Sequence, residues 1–450
     1  MSDLDLREAL WGDDVKRLRT ILCIAFIVAA AVYLLVVHGL DIETEVIRDR
    51  YWKNAVPLFE GEMPVMEYPP LALIFIAIPR IFGSTEWGYE TAYVAMMVVI
   101  EIVGLLIVSR LANDLGRSRK KAMLAYTVLA MLMIEFVLDR FDMIAMVIAL
   151  AAVMFFVEKK YPAAFVLLAV GTLVKLYPAV LFPVFFVYLL CTRQAKEAGK
   201  GFVWFAATGL IVAGIFWLID SETITGFLEY NTGRPLQVES LWSSIVYVLS
   251  VFGLTDVYIE GSSADSFWSD NLRGDLADSI ADVALPVTVV LIVLVWLFYI
   301  YRARAERENG AGGMRLAALA CLASVMTFLA FNKVYSTQYL IWAIGPALFA
   351  AMTLEKGEGK KILLALTVTI LLGQLDFAYN VGYLGGGEAI DDLGMVVILL
   401  KNLATLWVLA LALKGMAAKG GAGSDEGASP SEEAPAPEAA GGAQPVPPKG

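Results

Sequence analysis

The sequence predicts an all-α polytopic membrane protein with about twelve transmembrane helices. Three observations predict it. The 450 residues are 59% hydrophobic, with a mean hydropathy of +0.70. Apolar runs recur at roughly the 20-residue length that crosses a bilayer as a helix. The runs are apolar all round rather than along one stripe, and only helices and closed barrels satisfy the backbone inside lipid.

The first run begins near residue 20; it is too long for a removable signal peptide and lacks a small-residue cleavage site. Further runs centre near residues 99, 130, 150, 168, 184, 211, 293, 323, 347, 370 and 403. A run of only about 13 residues follows Glu67-Tyr68-Pro69-Pro70, too short to cross. With Pro79 and Arg80 inside it, this Leu71–Phe82 segment suits an outer juxtamembrane helix. Leaving it outside puts about 24 of the 34 lysines and arginines on the cytoplasmic side; letting it cross turns most basic loops outward. Both termini are therefore expected in the cytoplasm.

Ala163–Leu190 is interrupted by Lys175-Leu176-Tyr177-Pro178 between basic flanks. A short hairpin with Lys175 at its outer turn is favoured over one kinked helix with a snorkelling lysine. Three segments then face outside: the first outer loop, 39–88; the second, 220–283; and the turn Asn332–Gln338. The turn Asp139-Arg140-Phe141-Asp142 joins them. The expected organisation is a cytoplasmic segment 1–19, a transmembrane catalytic domain 20–413 and a disordered cytoplasmic tail 414–450 of mostly small and polar residues. There is no convincing internal repeat, which weighs mildly against transporter folds.

The single histidine, His38, excludes a multi-histidine metal site and argues against a Ser-His-Asp hydrolase. Cys23, Cys191 and Cys321 lie in or beside apolar runs and suggest no disulfide framework. The net charge of −11 excludes a strongly basic nucleic-acid-binding face. The first outer loop carries Asp41, Glu43, Glu45, Asp49, Glu60, Glu62 and Glu67, most of them expected to be simply solvated. Asp41 differs because it lies just past the first span, the rigid mounting that a general base needs. Asp49 is its rival, with Arg48 and Arg50 as ready surface partners.

Four cations, Arg140, Lys175, Arg234 and Lys333, adjoin or interrupt apolar runs on the same side, where charges are usually paired or functional. Arg140 has Asp139 and Asp142 beside it, and Arg234 has Glu239. Lys175 and Lys333 have no adjacent acid. If they converge, such cations suit a phosphate group; otherwise they snorkel independently to the headgroups.

Five segments occur in order: Glu67-Tyr68-Pro69-Pro70-Leu71, Arg140-Phe141-Asp142, Val174-Lys175-Leu176-Tyr177-Pro178, Arg234-Pro235-Leu236-Gln237-Val238-Glu239-Ser240 and Asn332-Lys333-Val334-Tyr335-Ser336-Thr337-Gln338-Tyr339. Together they resemble the glycosyltransferase 87 family of GT-C glycosyltransferases, which includes polyprenol-phosphate-mannose-dependent mannosyltransferases. The resemblance runs over roughly residues 20–412. It implies a GT-C fold with two juxtamembrane helices in the first outer loop. It also implies transfer of a sugar, mannose foremost, from a polyprenyl-phosphate donor to a glycolipid or glycan acceptor, with inversion, at the outer face of the cell membrane.

The family's catalytic carboxylate matches Asp41. The tyrosine that the family places a few residues after it is here Tyr51, ten positions on, which keeps Asp49 in contention. Thr337 stands where proline is common. The motif residues Glu67, Tyr68, Arg140, Lys175, Tyr177, Arg234, Gln237, Glu239, Lys333 and Gln338 are the expected substrate and phosphate contacts. No cofactor is required; a divalent cation held by loop carboxylates and phosphate is compatible with the sequence. The bilayer is the expected environment and no nucleic acid partner is implied. The alternative is a lipid or solute transporter or flippase without chemistry, which leaves the non-spanning helix unexplained. A ligase using a diphosphate-linked glycan is a weaker rival.

Overall fold

The computed structural model describes residues 13–40, 45–64, 66–263, 267, 269–308, 313–380 and 391–418. Helix α1 (Asp13–Gly39) leads to a π-helical segment, Glu45–Trp52, then α2 (Lys53–Glu60), α3 (Ala72–Phe82) and α4 (Glu86–Asp114). Then come α5 (Arg119–Met131), α6 (Ile134–Asp139), α7 (Asp142–Val157), α8 (Tyr161–Val174), a 3-10 turn Tyr177–Leu181 and α9 (Phe182–Cys191). Helices α10 (Ala195–Ile219) and α11 (Glu222–Gly233) precede β1 (Leu236–Gln237), α12 (Leu241–Val251), β2 (Tyr258–Glu260) and β3 (Asn271–Arg273). The chain ends in α13 (Asp275–Glu308), α14 (Gly313–Phe331), a 3-10 turn Thr337–Leu340, α15 (Ile341–Thr353), α16 (Lys356–Asn380) and α17 (Asp392–Ala417).

This is an all-α polytopic membrane protein. Each apolar run read from the sequence is helical. Among the described residues, α1, α4, α10, α13, α14, α16 and α17 are each long and apolar enough to cross a membrane. The other runs are shorter or broken. Helix α10 shows what surrounds the bundle: of its 25 residues only Ala198 and Gly201 are buried, although the helix is apolar all round. Such a surface is stable only against lipid.

Short local rules fix the pieces around the first loop. Helix α3 buries Ala72, Leu73, Ile76 and Pro79 and exposes Ile74, Ile81 and Phe82. Its start is tied to the end of α8 by Leu71 N donating to the Leu173 carbonyl at 2.9 Å. The Tyr89 hydroxyl donates to the Ile76 carbonyl at 2.9 Å and clasps α3 to α4. At Gly83 a Cβ would lie 2.1 Å from the Gly88 carbonyl carbon, so only glycine lets α3 turn this tightly into α4. Thr85 caps α4 by accepting from Gly88 N at 3.1 Å.

Residues 161–191 form the expected hairpin. Phe156 packs on both Tyr161 and Tyr188, with ring centroids 5.4 and 5.2 Å away, so the far ends of α8 and α9 lie together. At the opposite end the chain breaks at Lys175, whose backbone is extended, and Pro178 packs against Gly171. The basic loops gather at the end away from Lys175. Arg110 pairs with Glu158 there, and Arg117 donates to the carbonyls of Met352 and Leu354.

Several boundaries differ from expectation. Helix α1 begins at Asp13 rather than near residue 20, and α13 begins at Asp275, eight residues before the expected end of the second loop. Asp275 and Asp278 suit the first turn of α13, where the helix dipole favours carboxylates. Helix α17 runs to Ala417, into the expected tail. Arg302 and Arg315 donate to the carbonyls of Gly415, Met416 and Ala418 and hold that last turn. The rest of the tail lies outside the described residues. The second loop also holds a small antiparallel sheet ordered β1–β3–β2, in which Leu272 faces both Leu236 and Ile259. Strands of two or three residues are too short to leave a periodic signal.

Candidate functional site

At the Lys175 end of the bundle, the breaks between helices surround one cavity of about 320 Å³. Its wall includes Arg50, Arg140, Lys175, Arg234 and Lys333, five cations from five separate segments. Glu67 is the one carboxylate among the described lining residues. Tyr68, Tyr177, Gln237, Gln338, Tyr339 and Trp342 complete much of its polar and aromatic surface. Lys175 and Lys333, far apart in sequence, therefore line the same space.

The cations are held differently. Lys175 is buried and donates to Asp142 Oδ1 at 2.6 Å. Trp342 Nε1 donates to the same oxygen at 2.6 Å. Four rings box the ammonium, at 4.9 Å for Phe141, 5.1 Å for Tyr339, 5.2 Å for Trp342 and 5.3 Å for Tyr68. Burial pushes its pKa below the usual lysine range, and the Asp142 carboxylate opposes that shift. Tyr177 stacks on Trp342 at 4.8 Å, and Tyr339 stacks on it at 4.3 Å. Lys333 Nζ donates to the Thr232 carbonyl at 2.9 Å, and burial lowers its pKa as well.

Arg140 is less satisfied. Its Nε lies 3.6 Å from Asp139, too far for a hydrogen bond, and neither Nε nor Nη1 has a hydrogen-bond partner. Arg234 donates from Nη2 to Ser269 at 3.1 Å, but its Nε has none. Buried guanidinium donors left open in a cavity suit a ligand with several anionic oxygens.

The family model of glycosyltransferase family 87 matches residues 67–327. The chain belongs to glycosyltransferase family 87. Membership makes it a glycosyltransferase and sets aside the transporter reading. The match covers four of the five motifs and stops short of Asn332–Tyr339, a narrower span than the resemblance suggested. No curated protein matches the chain.

For this family member, the predicted site residues divide into three groups. Glu67, Tyr68, Arg140, Lys175, Tyr177, Arg234, Gln237, Lys333 and Gln338 line the cavity. Glu239 and Asp49 are not among the lining residues. Glu239 pairs with Lys401 at 2.9 Å rather than with Arg234, because α17 brings that lysine against the second loop. Asp49 pairs with Lys53 one helical turn on, at 2.5 Å. The two arginines expected to flank Asp49 turn elsewhere. Arg48 pairs with Glu90 at 3.2 Å and lies over Trp87, whereas Arg50 pairs with Glu67 at 3.2 Å. Asp41 lies outside the described residues.

Glu67 is fully engaged. Burial alone raises its pKa, but Arg50 and hydrogen bonds from Tyr68 and Tyr230 outweigh that and hold it below the usual glutamate range. Asn231 Nδ2 also donates to its backbone carbonyl at 3.0 Å. A carboxylate stabilised this way is a poor proton acceptor and a good anchor.

Sequence reasoning missed Arg50 and Trp342 as parts of the wall, and Asp142, Lys401 and Asp376 behind it. Lys401 carried a signal, since a lysine inside an apolar run demands a partner. Arg50 carried none, because an acidic loop offers many nearer partners.

Proposed function

We propose that this glycosyltransferase moves a sugar, mannose foremost, from a polyprenyl-phosphate donor to a hydroxyl of a glycolipid or glycan acceptor. The reaction takes place on the outer face of the cell membrane and inverts the anomeric carbon. The observation that supports this reading is the cavity wall with five cations, one engaged carboxylate and open donors on Arg140 and Arg234. The acceptor oxygen forms a bond to the anomeric carbon as the bond to the phosphate oxygen breaks. The bonding pair leaves with the phosphate, whose growing charge Arg140, Arg234 and Lys333 stabilise. The acceptor proton passes to Asp41. The leaving group is already activated, so the scheme requires no cofactor, and the protein's task is to position and stabilise charge.

The test is transfer in membranes with radiolabelled polyprenyl-phosphate sugars set against nucleotide sugars. Polyprenyl-phosphate mannose should be used and nucleotide sugars should not; the opposite preference ends this reading. Arg140→Met should lower kcat/KM by about tenfold to a hundredfold, the range for losing charge-assisted hydrogen bonds.

The sidedness rests on the charge split of the loops. In a variant without Cys23, Cys191 and Cys321, Ser84→Cys should react with an impermeant outer thiol reagent and Lys121→Cys should not. Reversed labelling would place the cavity on the cytoplasmic face.

A further inference from the structure

Gln237 lines the cavity and is 6% exposed. Its Nε2 donates to Glu239 Oε2 at 2.9 Å, while its Oε1 has no hydrogen-bond partner. The orientation of an amide is assigned from its partners, and here the partner decides it. An ionised carboxylate only accepts, so the amide nitrogen must face Glu239 and the oxygen must face away.

Glu239 has little freedom to release that nitrogen. Its Oε1 accepts from Thr337 N at 3.0 Å, from Thr337 Oγ1 at 3.2 Å and from Lys401 Nζ at 2.9 Å. Lys401 is itself held by Asp376 at 2.5 Å, and Asn402 donates to the Glu239 carbonyl at 3.2 Å. The backbone of Gln237 is also fixed. Its N donates to the Lys333 carbonyl at 3.0 Å, and its pairing with Asn271 ends the small sheet. The side chain thus carries a committed acceptor beside the cationic part of the wall.

We infer that Gln237 reads a hydroxyl of the transferred sugar, through an amide oxygen that Glu239, Lys401 and Asp376 lock in the accepting orientation. Cationic donors recognise phosphate but cannot accept a hydroxyl proton. Among the described lining residues the one carboxylate, Glu67, is engaged by Arg50. A buried amide oxygen left without a donor is costly, so a substrate hydroxyl that supplies one is selected over its absence. The backbone tie to Lys333 joins Gln237 to a segment whose lysine lines the same cavity, where the proposed phosphate and the sugar attached to it would bind. Glu239, Lys401 and Asp376 are positioning residues. The inference rests on the polyprenyl-phosphate reading above.

The experiment compares polyprenyl-phosphate mannose with its analogues lacking each ring hydroxyl in turn, and octyl mannoside acceptors treated the same way. The wild-type protein should lose about tenfold to a hundredfold in kcat/KM with one deoxy donor. Gln237→Met should be slow with the parent donor yet indifferent to that deletion. Glu239→Gln lets the amide flip and should narrow the wild-type preference without abolishing transfer. A merely structural role would slow every donor equally and leave the ratios unchanged. If Gln237→Met does not accumulate as folded protein, Gln237→Asn carries the same comparison. Identical ratios in wild type and variants overturn the inference, and so does a preference that appears only among the deoxy acceptors. Failure of the wild-type protein to use any polyprenyl-phosphate sugar overturns the proposed function and this inference with it.

Discussion

Replacing Asp41 by asparagine should lower turnover by about 10²–10⁴-fold while the donor lipid still binds. The substitution keeps size and most hydrogen bonding and removes only the charge that accepts a proton. The placement of its rivals sharpens the expectation. Asp49 is tied to Lys53 and does not line the cavity, and Glu67 is held in its ionised form by Arg50 and two tyrosine hydroxyls. In the sequence Asp41 comes two residues after the end of α1; before it in the chain, His38 Nε2 lies 3.1 Å from Glu90. Beyond it, Arg48 pairs with the same Glu90. Residues on both sides of Asp41 are thus fastened to one buried carboxylate on α4. Asp49→Asn should reduce turnover only slightly. Steady-state transfer and donor-lipid binding, measured on the same preparations, separate the outcomes. Near-normal transfer by Asp41→Asn together with loss in Asp49→Asn would move the base to Asp49. Normal transfer by both would remove a first-loop aspartate from the mechanism.

The helices, and the end of the bundle at which the candidate cavity lies, were legible because both obey one-dimensional rules. Run length gave the helices, and the short Leu71–Phe82 run stood out because it cannot span. Lys175-Leu176-Tyr177-Pro178 announced a break because a proline and a charge interrupt an apolar run, and the chain does break there. Pairing was not legible, because it depends on which helices become neighbours. Lys175 finds Asp142, which stands 33 residues earlier, and Glu239 finds Lys401, 162 residues later. Arg50 crosses to Glu67 although Asp49 is its neighbour in sequence. A motif residue such as Glu239 therefore reads as a ligand in one dimension and acts as a brace in three.

Lys401→Met should be the most destabilising single substitution in the bundle. Lys401 is fully buried in α17, and Asp376 in α16 is 1% exposed. One ammonium serves two carboxylates there, Asp376 at 2.5 Å and Glu239 at 2.9 Å. Replacing such a pair by well-packed apolar groups is often neutral, but removing one partner leaves the other charge buried and unpaired. The expected loss is about 3–5 kcal/mol, the range for breaking a buried pair, seen as a lower unfolding midpoint in detergent. The variant Lys401→Met/Asp376→Asn should recover about half of that loss, because it removes the more deeply buried of the two carboxylates. Glu239 is easier to leave without the lysine: its side chain is 20% exposed, and Thr337 N and Gln237 Nε2 still donate to it. If Lys401→Met alone is neutral, the attraction between Lys401 and its carboxylates only offsets the cost of burying the charges, and the network adds no net stability. The double variant then shows no recovery, which distinguishes the two outcomes.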